Sequence, residues 1–121
     1  MKPRGPRPGD IYLAEFPEHD PQGREQQGVR PALVLAVPSR SRFPVILVAP
    51  MTTDRAQSWA KSAPHLYLRL PEGIGGLSTH SILLLDQTRF LDALRVRRFL
   101  GLLEKNTFDS VLGQWLALFK N

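Results

Sequence analysis

Two short apolar runs, residues 32–37 and 45–49, constrain this 121-residue chain more than any other feature. They read Ala-Leu-Val-Leu-Ala-Val and Val-Ile-Leu-Val-Ala, without a polar interruption. Runs of this kind belong to strands that are largely buried. Pro38 and Pro50 close the two runs, and a Ser-, Arg- and Pro-containing segment joins them. The pair therefore predicts a hairpin, with Arg40 and Arg42 carried to the surface by its turn. Just before the first run stands Gly-Arg-Glu-Gln-Gln-Gly-Val-Arg-Pro, residues 23–31. Gly23 and Gly28 bound this loop and permit positive φ or close approach to a ligand. Pro31 restricts its own φ and biases Arg30 towards extended backbone, which sets a guanidinium at a strand mouth with little freedom. The plainer alternative is a polar loop with Arg30 in solvent or paired with Glu25.

The rest of the chain is read around that hairpin. Residues 10–16 alternate and predict a first strand, and 17–29 form a long polar loop. A fourth strand is expected over 65–70 and a glycine-rich turn over 71–79. The fifth strand covers 81–85 and continues through 86–91, and a short last strand lies at 98–103. In the tail, Phe108, Val111, Leu112, Trp115 and Phe119 fall on one face of a helix. Glu104 or Asn106 is its expected N-cap, and Lys120 suits its C-terminal end. Leu116 and Leu118 widen the apolar face, which predicts a helix buried on more than one side. The expected fold is a small α+β, barrel-like domain of antiparallel strands with a C-terminal helix, covering 9–121 behind a flexible basic arm at 1–8.

Composition narrows the chemistry. Cysteine is absent, which removes disulfides, thiolate metal sites and a cysteine nucleophile. His19, His65 and His80 are scattered without ligand spacing, so no metal is expected, and no phosphate-binding loop or serine elbow is present. No signal peptide or apolar run of about 18 residues is visible, which predicts a soluble cytoplasmic protein with no membrane contact. The net charge is +5, and 12 of the 16 basic residues are arginine, a side chain suited to phosphate. Glu25 and Arg30 precede the second strand, Thr52 and Thr53 follow the third, and Asp86 and Gln87 end the fifth. A hairpin brings the start of one strand to the end of the next, so topology places Arg30 near Thr52. A cleft lined this way can bind a phosphodiester; the alternative is a capping and ion-pair network at a sheet rim.

Four elements carry a family resemblance: Gly9-Asp10-Ile11-Tyr12; Gly23-x-Glu25-Gln26-x-Gly28-x-Arg30-Pro31; Val48-Ala49-Pro50-Met51-Thr52-Thr53; and Asp86-Gln87-x-Arg89 with a later Asp92. In order and spacing the chain resembles the MazF/PemK toxin endoribonucleases. The resemblance implies an SH3-like antiparallel β-barrel with a C-terminal helix (the CcdB/PemK-like fold) and a homodimer. It implies cleavage of single-stranded RNA without metal or cofactor, a cognate antitoxin, and DNA binding together with that antitoxin. Arg30 and Thr52 match the pair most associated with catalysis in MazF-like members. Glu25 matches a nearby acid, and Asp86 the carboxylate acting as base in PemK-like members. Leu84 stands where PemK-like members carry an arginine, and Arg24 where they carry a histidine, so the Arg–Thr version fits better. Two alternatives share the fold: a gyrase inhibitor of the CcdB type and a non-catalytic nucleic-acid-binding regulator.

Cleavage of this class uses the ribose 2′-hydroxyl as nucleophile. It needs a base, a stabiliser of the phosphorane and a proton for the leaving oxygen. Arg30 suits the second task, because guanidinium keeps its charge. Thr52 orients a phosphate oxygen; Glu25 is the preferred base and Asp86 the second. RNA contacts are expected from Arg24, Gln26, Thr53, Arg55, Trp59, Gln87 and Arg89, with Arg40, Arg42 and Arg55 along the backbone. Trp59 is either a stacking platform or an anchor packed onto the barrel.

Overall fold

The computed structural model describes residues 5–17 and 28–120. Seven strands are present: β1 (Asp10–Phe16), β2 (Gly28–Ala36), β3 (Val45–Thr53), β4 (Tyr67–Leu70), β5 (Ser81–Leu84), β6 (Arg89–Asp92) and β7 (Val96–Leu102). They are joined by a one-turn helix, α1 (Ser58–Ser62), and followed by α2 (Lys105–Ala117). All pairings are antiparallel, in the order β4-β5-β3-β2-β1-β7, with β6 also on β3. The fold is thus mostly antiparallel β with a C-terminal helix, as expected.

Strands β1 to β3 are covered on both sides, which is why their sequences are so continuously apolar. Ile11, Leu33, Leu35, Ala49 and Met51 point to one side, where Leu70, Leu77, Leu83, Leu103 and Val111 complete a core. Tyr12, Ala14, Phe16, Ala32, Val34, Ile46 and Val48 point to the other and meet Leu91 of β6 and Val96. A third, smaller core joins Ala60 of α1 to Ile82 and Leu84. Asp10 is buried and accepts hydrogen bonds from the Arg7 backbone N–H (2.9 Å) and the Tyr12 hydroxyl (3.2 Å), fastening the chain at residue 7 to the start of β1.

Among the described residues the sheet does not close by hydrogen bonds into the expected barrel. Instead the 3₁₀ turn between β4 and β5, Ile74–Gly76, lies directly on β7. A Cβ on Gly76 would run into the Leu100 carbonyl, and one on Gly75 into the Ile11 side chain. Both glycines have positive φ, so backbone meets backbone where a ladder would otherwise have closed the ring.

Proline marks further differences from expectation. Pro50 does not end β3; the strand runs on to Thr53 and changes partner. Residues 45–48 pair with β6 and 51–53 with β5. Opposite Ala49 and Pro50 the partner segment carries three extra residues, folded as a 3₁₀ turn over Leu85–Gln87. A proline offers no N–H to a ladder, so the break in pairing falls where the donor is missing. The single long strand expected over 81–91 is therefore two strands around a kink. At the other end of the hairpin, β2 starts at Gly28, so Arg30 and Pro31 lie inside the strand rather than before it.

Helix α2 is narrower in its burial than predicted. Phe108, Val111, Trp115 and Leu118 pack on the first core, whereas Leu116 and Phe119 are 52% and 67% exposed. Its N-cap is Glu104, whose side chain makes no capping hydrogen bond. Gly76→Ala should cost at least about 2 kcal/mol, from backbone overlap added to a left-handed φ. Gly113→Ala, in open space on α2, should gain roughly 0.5–1 kcal/mol. Urea unfolding of the two variants checks both signs.

Candidate active site

Residues 28–31 of β2 pair with β1 alone, extending beyond the last rung shared with β3. Residues 51–53 of β3 overhang in the same way and pair with β5. The last β2–β3 rung joins Ala32 to Pro50; the same register, carried two residues further, sets Arg30 across from Thr52. Alternation agrees. Arg30 pairs with Ala14, on the side of Ala32 and Val48, while Met51 and Ala49 fill the opposite core and leave Thr52 on the Arg30 side. Both residues are half-buried. Arg30 and Thr52 thus lie on one face of the sheet, on neighbouring strand overhangs.

The row continues outward. Thr52 pairs with Ile82 of β5, and Ile82 with Arg69 of β4, whose guanidinium lies 3.5 Å from the Asp54 carboxylate. Sequence reasoning passed over Arg69; its parity with Tyr67 in an alternating strand beside β5 was the available signal. Arg89 pairs with Val48 and holds its guanidinium over the Phe16 ring, 5.9 Å from the centroid, so it also belongs to the Arg30 side. Thr53 and Arg55 are exposed at the end of β3.

Asp86 and Gln87 stand apart from Thr52. They lie in the 3₁₀ kink, with Asp86 four residues beyond Ile82. Asp86 Oδ2 accepts a hydrogen bond from the Tyr67 hydroxyl at 2.6 Å. The edge-on partner of Tyr67 is Trp59, with ring centroids 4.9 Å apart and planes at 80°. Trp59 is 45% exposed and packs one side against Tyr67. Its helix is tied to β3: the Gln57 side-chain amide donates to the Thr53 carbonyl (3.1 Å) and its oxygen accepts from the Arg55 N–H (2.8 Å). Neither α1 nor Tyr67 was anticipated here. Leu84, the position of the missing arginine, is buried with Ile82 and Ala60 under α1. Glu25, Arg24 and Gln26 lie outside the described residues, as does His19.

Among the histidines, His65 is exposed and His80 accepts at Nδ1 from the Glu72 N–H (3.0 Å), a structural contact. Among the described residues no three His, Cys, Asp or Glu side chains gather where a metal ion could sit. No helix among them is long and apolar enough to cross a membrane.

The acceptor at Asp86, together with partial burial and its negative charge, pushes the Tyr67 phenol up to about 12 from an ordinary value near 10. The folded state thus favours the protonated phenol, and the stabilisation holds below about pH 10 and fades as pH rises through 12. Following the Tyr67 ring carbon by NMR should place its midpoint near 12, and Asp86→Asn should bring it back towards 10.

Residues 7–119 match the sequence profile of the family described as PemK-like, MazF-like toxin of type II toxin–antitoxin system. The chain is 32% identical over 106 residues to Endoribonuclease MazF of Staphylococcus epidermidis, covering 87% of this chain and 83% of that protein. Its fold is similar to the crystal structure of MazF from Deinococcus radiodurans (TM-score 0.69, 23% identity, 96% of this chain and 97% of that one). It is also similar to a mycobacterial endoribonuclease solved in complex with its cognate antitoxin (TM-score 0.62, 17% identity, 97% and 100% covered).

Proposed function

The chain belongs to the PemK-like, MazF-like toxins of type II toxin–antitoxin systems, and from that premise we propose that it is a metal-independent endoribonuclease that cuts single-stranded RNA at Arg30 and Thr52. The observation that carries this reading is the shared face: a permanent cation and a hydroxyl on facing strand overhangs, fixed by register.

In the proposed reaction the ribose 2′-oxygen attacks the adjacent phosphorus. The 5′-oxygen of the next nucleotide leaves and takes a proton from solvent water, giving a 2′,3′-cyclic phosphate and a 5′-hydroxyl. Arg30 meets the negative charge that grows on the non-bridging oxygens, where a pre-oriented donor is most effective. Thr52 donates to one of those oxygens and orients the phosphate. Proton removal from the 2′-hydroxyl falls to Glu25, since guanidinium cannot accept a proton. Asp86 is the less suited base, because it lies beyond the far end of β5 from Thr52 and is already bonded to Tyr67. Arg89 and Arg55 supply cationic contacts along the strand.

The MazF of Deinococcus radiodurans has also been solved with MazE, and the mycobacterial relative with its antitoxin. By the same reading this chain acts in the cytoplasm as a homodimer and is held inactive by a cognate antitoxin. Apolar side chains left on its surface, Val29 and Leu94 among them, support a partner chain.

Incubating the purified protein with a long RNA in EDTA should give discrete cuts whose products carry 5′-hydroxyl ends. Arg30→Ala should lower the cleavage rate by about 10²–10³-fold, and Thr52→Val by roughly tenfold, the worth of one neutral hydrogen bond. Retarded RNA without cuts, or full activity in a folded Arg30→Ala protein, would sink the reading.

A further inference from the structure

The Trp59–Tyr67–Asp86 cluster is not used by the chemistry at Arg30 and Thr52, yet it is built with some care. Four local contacts fix the indole. Gln57 ties α1 to the Thr53 carbonyl, Ser62 Oγ donates to the Trp59 carbonyl, Ala60 is sunk between Ile82 and Leu84, and Tyr67 stands against the ring. Yet the residue stays 45% exposed. The Asp86 carboxylate is likewise exposed and likewise held, through the Tyr67 hydroxyl at 2.6 Å. One tyrosine therefore touches both an open aromatic surface, through its ring, and a held acceptor, through its hydroxyl.

An aromatic surface of this kind stacks any nucleobase. The carboxylate held by the same tyrosine discriminates, because it accepts only. Guanine alone presents two adjacent donors on its Watson–Crick edge, N1–H and the N2 amino group. Adenine and cytosine set a ring acceptor beside their amino group, and uracil flanks its single N–H with two carbonyls. Each of the three turns lone pairs towards a bidentate carboxylate. Tyr67 occupies one lone pair of Oδ2, which leaves both oxygens able to accept.

Position links the cluster to the cleavage face. Tyr67 pairs with Leu84, two residues along from the Ile82–Thr52 rung and two strands away from Thr52. Strand spacings put the Thr52 and Tyr67 backbones about 12 Å apart. A nucleotide near the scissile bond spans such a gap, while the phosphate stays at Thr52.

We infer that Trp59 and Asp86, joined through Tyr67, form a base-reading site that selects guanine in the RNA strand near the cut. The inference rests on the ribonuclease reading for its ligand, so the test measures binding without cleavage. The probes are two pools of fluorescein-labelled 2′-O-methyl oligonucleotides of mixed sequence, which lack the nucleophilic hydroxyl. One pool contains all four bases; the other has inosine, which lacks the N2 amino group, in place of guanine. Anisotropy with the full chain should show the guanine pool bound about tenfold more tightly. Asp86→Asn should shrink that ratio to less than about twofold, and Trp59→Ala should weaken both pools while preserving most of the ratio. Equal binding of the two pools, or a ratio that survives Asp86→Asn, overturns the assignment. Guanine-selective binding by a protein that cuts no RNA would keep the assignment and remove the ribonuclease reading. Discrete cutting without guanine selectivity would do the reverse.

Discussion

Each residue of a central strand has one N–H and one C=O to share between two neighbours, and β3 has three neighbours to satisfy. Pro50 takes one donor out of that allocation at the point where β6 gives way to β5. The consequence reaches well past one hydrogen bond. The partner segment inserts three residues opposite Ala49 and Pro50, and the inserted turn is Leu85–Gln87. Asp86 and Gln87 leave the plane of the sheet there, and Asp86 reaches the Tyr67 hydroxyl. Thr52 and Thr53 meanwhile stay in a regular strand, now paired with β5. A single missing N–H thus separates two polar groups that sit close in the motif order.

The same strand explains where a site can exist. Over most of their length β1 to β3 are buried on both faces, and a buried face offers nothing to a ligand. The polar side chains of β2 and β3 lie only on their overhangs, residues 28–31 and 51–53, where the ladder between them has ended. Arg30 and Thr52 are the polar members of those overhangs on one side. Their backbones remain in strands held by β1 and β5, so neither side chain needs a loop to position it. Groups carried on regular elements are placed more precisely than groups on mobile segments, which suits charge stabilisation that must be oriented before the reaction begins.

Much of this was legible in the sequence, and the failures have a common cause. The apolar runs, the alternating first strand and the helix period reflect burial, which is a local property of side-chain type, so those elements stand where expected. Arg30 and Thr52 were brought together by hairpin topology alone. Proline was over-read as a terminator at Pro50, because its effect on a strand depends on whether the neighbour needs that N–H. Helix α2 was over-read as buried on several sides, because apolar residues such as Leu116 and Phe119 carry no label saying whether their partner lies within the chain. Tyr67 was invisible as a site residue: its role comes from a hydrogen bond across 19 positions and a kink that no periodicity announces. The glycines at 75 and 76 read only as a turn, since the strand they rest on is distant in sequence.

Leu84 bears on proton transfer. In the family members that use a carboxylate near this position as base, an arginine stands two residues before it; here that position is sealed beneath Ala60 and beside Ile82. A guanidinium placed there would be buried without water, at a cost that only a fixed anionic partner offsets. The space is instead aliphatic, and the neighbouring cation on the sheet, Arg69, comes from β4 and faces Asp54. Asp86 is held by the Tyr67 phenol, a neutral donor that orients the carboxylate. In the proposed reaction this sets Asp86 aside as a base. Glu25 shares the Gly-bounded motif with Arg30 and keeps the proton-transfer task, whereas Asp86, set aside by the kink at Pro50, is left with the edge of a base to read.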